Sequence, residues 1–232
     1  MGNVLTSKHR QKALQRVFQN RQRSLVIMVK EPRSGRVKTR LGRDIGMVAA
    51  AWWYRHQVGR LIRNLRDSRW RIVLAISPDQ AAMNVQIWPR DLIRIPQGNG
   101  NLGDRLKRLL RSMPQMPVCI IGSDIPAISR DSIWSAFRAL GAADAVIGPS
   151  TDGGFWLIGL NKNRPVANHI FRGVRWSTEY ALEDTMTILS GLSIAQTARL
   201  TDIDKASDLD SMLDPQSNKF YAPPDFDESS LY

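Results

Sequence analysis

"SLVIMVKEPRSGRVKTRLG", residues 24–42, joins five consecutive apolar residues, Leu25 to Val29, to a turn carrying Lys30, Arg33, Arg36, Lys38 and Arg40 around Pro32 and Gly35. An apolar run with no polar alternation predicts a strand covered on both faces. The charges therefore fall at the strand's carboxyl end. The same phrasing recurs along the chain. "RIVLAIS" (71–77) runs into Pro78 and Asp79, "LIRI" (92–95) into Gln97, and "VCIIGSD" (118–124) ends on a carboxylate. "DAVIGPS" (144–150) and "FWLIGL" (155–160) flank a glycine turn, and "IAQTARL" (194–200) runs into "TDID".

Between these strands lie helical patterns. Residues 47–65 place Val48, Ala51, Trp52, Val58, Leu61, Ile62 and Leu65 near helical spacing, and 102–112 show the same period. Ser129 caps a helix running to about Leu140 with Asp131 in its first turn, and Ser177 or Thr178 opens another that stops at Gly191. Strands alternating with helices predict an α/β domain, a mostly parallel sheet between helices, over residues 24–214. Residues 1–23 form a basic extension, in which 8–22 has a helical pattern with Leu14, Val17 and Phe18 on one face. Residues 215–232 form an arm or a disordered tail.

The chain has 232 residues, 43% of them hydrophobic, enough for one full core. Its single cysteine, Cys119, excludes a disulfide framework and fits a reducing, cytoplasmic compartment. No apolar run approaches the ~20 residues needed to span a bilayer, and the N-terminus lacks the apolar core of a secretory signal. The net charge of +12 is uneven: residues 1–40 carry +10 and residues 202–232 carry −6. That balance suits nucleic acid, anionic lipid or a phosphorylated substrate.

The strand ends separate these options, because ligands of open α/β sheets bind beyond the carboxyl ends of the strands. A phosphate ester asks for Lys or Arg and for backbone N–H groups from a glycine-bearing turn. Lys30, Gly35, Lys38 and Arg40 supply these, or else form an exposed basic loop. A divalent cation such as Mg²⁺ or Mn²⁺ asks for hard oxygen ligands. Asp124, Asp202 and Asp204 are its candidates, the alternative being turn and cap chemistry.

"QGNGNLGDR" (97–105) offers Gln97, Gly100 and Gly103 to a base or ribose, or is a flexible loop. In "STDGGFW" (150–156), Asp152 is placed to hold an acceptor hydroxyl or a metal's water, with Gly153 and Gly154 beside it, unless the turn is only a tight hairpin. Trp176 either packs the start of the next helix or stacks on a ring. His9, His56 and His169 form no zinc-spaced group with Cys119, and "GSDIP" is not a nucleophile elbow.

The ordered motifs "EPRSGRVKTRL", "QGNGNLGDRL", "VCIIGSDIPAIS", "AVIGPSTDGGFWLIGL", "FRGVRWST" and "TDIDKASDL" resemble a family of small bacterial glycosyltransferase-A-like transferases. That family is described as a domain of unknown function or as glycosyltransferases linked to arsenosugar biosynthesis. It is distantly similar to the guanylyltransferases of phospholactate and molybdenum-cofactor metabolism. The resemblance covers about residues 25–210. It implies a nucleotide-diphospho-sugar transferase fold, a metal-binding trio at Asp124, Asp202 and Asp204, and phosphate binding by Lys38 and Arg40. The activity it implies is metal-dependent transfer from a nucleotide-activated donor, first of all glycosyl transfer from a nucleotide sugar to a small-molecule acceptor. The alternative is nucleotidyl transfer from a nucleoside triphosphate to a small phosphorylated acceptor, with release of pyrophosphate. A nucleic-acid module built on the basic first 40 residues is a third reading. The acidic strand ends would repel a phosphate backbone, and no nucleic-acid motif is present.

Overall fold

The computed structural model describes residues 22–83, 87–162, 166–203, 205 and 208. The expected basic helix at 8–22, except for its last residue, the tail at 215–232 and Asp204 lie outside them. Seven strands form one sheet: β1 (Arg23–Lys30), β2 (Trp70–Ser77), β3 (Ile93–Pro96), β4 (Val118–Ile121), β5 (Ala145–Pro149), β6 (Phe155–Leu160) and β7 (Ile194–Gln196). Their order is β3-β2-β1-β4-β6-β5-β7. The β1–β2, β1–β4, β2–β3 and β5–β7 pairs are parallel, whereas β6 runs antiparallel to both β4 and β5.

The helices are α1 (Thr39–Ile45), α2 (Met47–Asn64), α3 (Leu102–Ser112), α4 (Arg130–Ala139) and α5 (Ala181–Ile188). Alternate side chains of β1 go to opposite faces. Leu25, Ile27 and Val29 join a core with Leu41, Leu61 and Phe137, drawn from α1, α2 and α4. Val26 joins a second core with Leu106, Leu109 and Ala181, drawn from α3 and α5. Both faces are covered, which is why the strand reads as an unbroken apolar run.

Several element boundaries differ from the sequence reading. The basic loop is shorter than expected, because Thr39 to Ile45 are helical and Gly46 (φ 92°) turns α1 directly into α2. Lys38 therefore caps α1 and Arg40 lies in its first turn. Within α2 the buried face includes Trp53 and Tyr54, while Val48 is 60% exposed. The expected helix at Ser177 or Thr178 begins only at Ala181, since Ser177 has a left-handed φ of 62° and Thr178 Oγ1 donates to the Arg175 carbonyl. The late strand ends at Gln196, and pairing resumes at a single Ser150–Leu200 bridge. Ser129 does cap α4, in a reciprocal arrangement with Ser132.

At the amino end of β5, a cavity of about 310 Å³ is lined by Asp144, Leu160, Asn161 and Lys162. Lys162 Nζ donates there to the Leu110 and Met113 carbonyls, which closes the end of α3. No described helix is long and apolar enough to cross a membrane.

Ile27 lies at 0% exposure on the central strand. Ile27→Ala is expected to lower stability by about 2–5 kcal/mol, because the rigid sheet cannot collapse around the lost methyl groups. A shift of the urea unfolding midpoint checks this.

Candidate functional site

The parallel strands β1, β2, β4 and β5 end at one edge of the sheet, and the reversed strand β6 begins there. The β5–β6 turn thus lies at the same edge as the loop after β1 and the carboxyl end of β4. A cleft of about 850 Å³ occupies this edge. Lys30, Lys38, Arg40, Gln97, Gly100, Asp124, Asp152 and Asp202 all line it, bringing together residues spread over most of the chain.

Lys38 caps α1 in a left-handed conformation with φ 46° and ψ 46°, which costs a side chain about 1 kcal/mol. Its side chain is 4% exposed, and its Nζ stands 2.9 Å from Asp124 Oδ2. The same ammonium donates to the Ile203 carbonyl at 2.5 Å. The Ile203 N–H in turn reaches the Asp124 carbonyl at 3.4 Å. Three distant segments meet at one cation. Asp202, half-buried, stands beside this junction and lines the cleft with Asp124.

A chain of hydroxyls approaches Asp124 from below. The Lys30 N–H donates to Tyr54 Oη at 2.9 Å, Tyr54 Oη lies 2.9 Å from Ser123 Oγ, and Ser123 donates to Asp124 Oδ1 at 3.2 Å. With Ser123 committed to the carboxylate, the tyrosine donates to the serine. Burial, with the Asp124 charge added, pushes the Tyr54 phenol up, so it keeps its proton. Asp124 is therefore oriented through both oxygens, by Lys38 and by Ser123.

On the β3 side, Gln97 is 3% exposed. Its Nε2 donates to the Val29 and Ala75 carbonyls at 3.0 and 2.9 Å, and its Oε1 accepts from Arg105 at 3.1 Å. The side chain expected to meet a donor thus joins the ends of β1 and β2 and aims Arg105. Arg105 also donates to the Gly100 carbonyl and to Ser77 Oγ, and lines the cleft. Arg108 holds the Gln97 and Asn99 carbonyls, so residues 97–100 are tied in place and not a loose loop.

The expected glycines divide by purpose. Gly35, with φ 72°, makes the exposed turn after β1. Gly103 is buried on α3, where a Cβ would lie 2.9 Å from the Trp176 ring and 3.0 Å from Phe171. Trp176 itself packs edge-on against Phe155 and Phe171, with ring centroids 6.1 and 6.0 Å away. These two residues build the wall, and the cleft is lined instead by Ser177, Thr178 and Glu179. Gly153 has φ 83°, and a Cβ on it would lie 2.2 Å from the Glu179 carbonyl oxygen. The Gly154 N–H and Ser150 Oγ both donate to Asp152 Oδ1, which fixes that carboxylate at the cleft rim.

Among the described residues, no group of three or more His, Cys, Asp or Glu stands together as a cation cage. Asp124 and Asp202 are the members of the expected trio that the structure describes. Both are carboxylates facing one cleft, and an ammonium already balances Asp124. That is donor chemistry suited to a hard divalent cation.

Arg105, Tyr54 and Ser123 were not apparent from the sequence. Arg105 follows the glycine motif directly, but one arginine in a basic chain carries no signal. Tyr54 sits inside a helical stretch, and nothing in the pattern sets Ser123 apart from its neighbour Asp124.

The sheet order, its single reversed strand and the cleft at the carboxyl edge define a glycosyltransferase-A-like α/β fold, the class of nucleotide-diphospho-sugar transferases. The chain belongs to a bacterial family described as "Uncharacterized protein conserved in bacteria (DUF2064)", whose family model matches residues 61–178.

Among solved structures, it is similar to a Desulfovibrio desulfuricans G20 protein proposed to be a nucleotide-diphospho-sugar transferase. Their identity is 27% and the TM-score 0.77, over 84% of this chain and 88% of that one. A CMP:2-keto-3-deoxy-manno-octonic acid synthetase complexed with CTP shares the fold at 12% identity and TM-score 0.52, over 82% and 96% of the two chains. So does the Mycobacterium tuberculosis H37Rv protein Rv0371C in complex with manganese, at 12% identity and TM-score 0.50, over 84% and 99%. No curated protein matches the chain.

Tyr54→Phe removes one hydroxyl that joins Lys30 to Ser123. A loss of about 1–3 kcal/mol in chemical denaturation is expected, because the Lys30 N–H loses its acceptor and Ser123 keeps only its bond to Asp124. Gly153→Ala adds both a strained positive φ and a collision with backbone. The expected result is a protein that stays folded but loses protection of the Leu182 amide, which donates to the Gly153 carbonyl. Residue-resolved hydrogen exchange reads that loss.

Proposed function

We propose that the chain is a metal-dependent transferase that uses a nucleotide-activated donor, transferring a glycosyl group from a nucleotide sugar to a small-molecule acceptor. The observation that carries this reading is the division of charge within one cleft. Lys30, Arg40 and Arg105 reach it from the β1–β3 side, Asp124 and Asp202 line it beyond β4, and Asp152 lies at the β5–β6 turn. The likeness at 27% identity to a protein proposed to be a nucleotide-diphospho-sugar transferase supports the same class of donor. Manganese in one protein of similar fold supports the class of cofactor.

In this reading Asp124 and Asp202 hold Mg²⁺ or Mn²⁺, with Asp204 as the proposed third ligand. The bound cation supplies positive charge to the diphosphate of the donor. Lys30, Arg40 and Arg105 bind the phosphate oxygens, and Arg105 is aimed for this by Gln97 and the Gly100 carbonyl. Asp152 accepts a hydrogen bond from the acceptor hydroxyl. As that oxygen bonds to the anomeric carbon, the bond from carbon to the diphosphate oxygen breaks and the proton passes to Asp152. Donors fixed beforehand reduce the reorganisation needed as charge develops on the leaving group.

Calorimetric titration of nucleoside diphosphate, with and without Mn²⁺, tests the cation site. Wild type should bind at least ~10-fold more tightly with Mn²⁺, and Asp124→Asn or Asp202→Asn should abolish most of that gain. Equal affinity in every combination would refute the assignment. Product analysis then separates the two chemistries. A free nucleoside diphosphate supports glycosyl transfer, whereas pyrophosphate release from a nucleoside triphosphate replaces it with nucleotidyl transfer.

A further inference from the structure

We infer that Lys38 is a positioning residue that latches the segment bearing Asp202 onto the end of β4. A lysine that only displays charge to a ligand keeps its ammonium in water. The Lys38 side chain is 4% exposed, and its Nζ is committed to oxygens on two other segments. One is the carboxylate of Asp124, and the other is the main-chain carbonyl of Ile203, 165 residues away in sequence. The left-handed backbone of Lys38, with φ 46° and ψ 46°, turns this side chain inward at the start of α1.

The segment after β7 shows what the latch holds. The Leu200 N–H donates to the Pro149 carbonyl at 3.1 Å, and the Leu200 carbonyl accepts from Thr151 at 3.2 Å, so the chain is anchored to β5 as far as Leu200. Three residues further on, Ile203 is 3% exposed, its N–H lies 3.4 Å from the Asp124 carbonyl, and its own carbonyl is held by Lys38. The long N–H contact is the weaker of these two polar ties. The charge-assisted bond from Lys38 is the stronger. Asp202 is carried between the two anchors. A cation in the first loop thus helps to hold its place in the cleft. This assembly role is distinct from contact with a phosphate and does not depend on the transferase reading.

Lys38→Met keeps the aliphatic stem and removes the ammonium. Residue-resolved amide hydrogen exchange on both ligand-free proteins is the test. The Ile203 amide should exchange at least ~10-fold faster in the variant, while Leu200 and the β4 amide of Ile120 keep their wild-type protection. Equal exchange at Ile203 in the two proteins overturns the latch and leaves Lys38 as a ligand-facing cation. If Leu200 also loses protection, the variant has lost more than the latch, and wild type decides alone. There a slowly exchanging, detectable ¹⁵N ammonium signal from Lys38 supports the proposal, and a signal lost to rapid exchange with water refutes it.

Discussion

A sheet buried on both faces has no room for an unpaired polar side chain except where its strands end. The rest of the structure follows from that constraint. Val26, Ile27, Val73, Leu74, Ile120 and Ile147 fill the two cores from opposite sides of the same strands. A buried, unpaired polar group costs several kcal/mol in such surroundings, so the chemistry of the chain is pushed to the edges. The single reversed strand, β6, decides which edge receives most of it, because its reversal brings the aspartate–glycine turn to the carboxyl ends of β1, β2 and β4.

At that edge few polar groups act alone. Gln97 spends its amide on two strand carbonyls and one arginine, and that arginine then reaches into the cleft. Tyr54 passes a hydrogen bond from the backbone of β1 to Ser123 and so to Asp124. Networks satisfied in this way stiffen a site, because each member has one favourable orientation. The cleft walls are set as strongly by packing. Gly103 lets Trp176 approach α3, and Gly153 lets the Glu179 backbone approach the turn.

Charge is arranged in the same economical manner. Asp124 and Asp202 share a cleft with four basic side chains, and one of these, Lys38, is drawn fully into the protein. A carboxylate in a partly enclosed cleft favours a compensating cation. Lys38 supplies one to Asp124 from within the chain.

The sequence by itself determined the α/β class, the two-faced sheet, most strand positions and the edge where the cleft lies. It could do so because apolar runs, helical periods and turn residues are local patterns with local physical causes. The position of Asp124, Asp152 and Asp202 just beyond predicted strands was legible for that reason, and all three line the cleft. Only the tertiary structure decided which glycines serve packing, that Gln97 ties β1 to β2, and that Arg105, Tyr54 and Ser123 line the cleft. It alone joined Lys38 to Ile203 across 165 residues. Such contacts have no signature in the chain, because a hydrogen bond between distant segments depends on where the whole sheet places its strand ends.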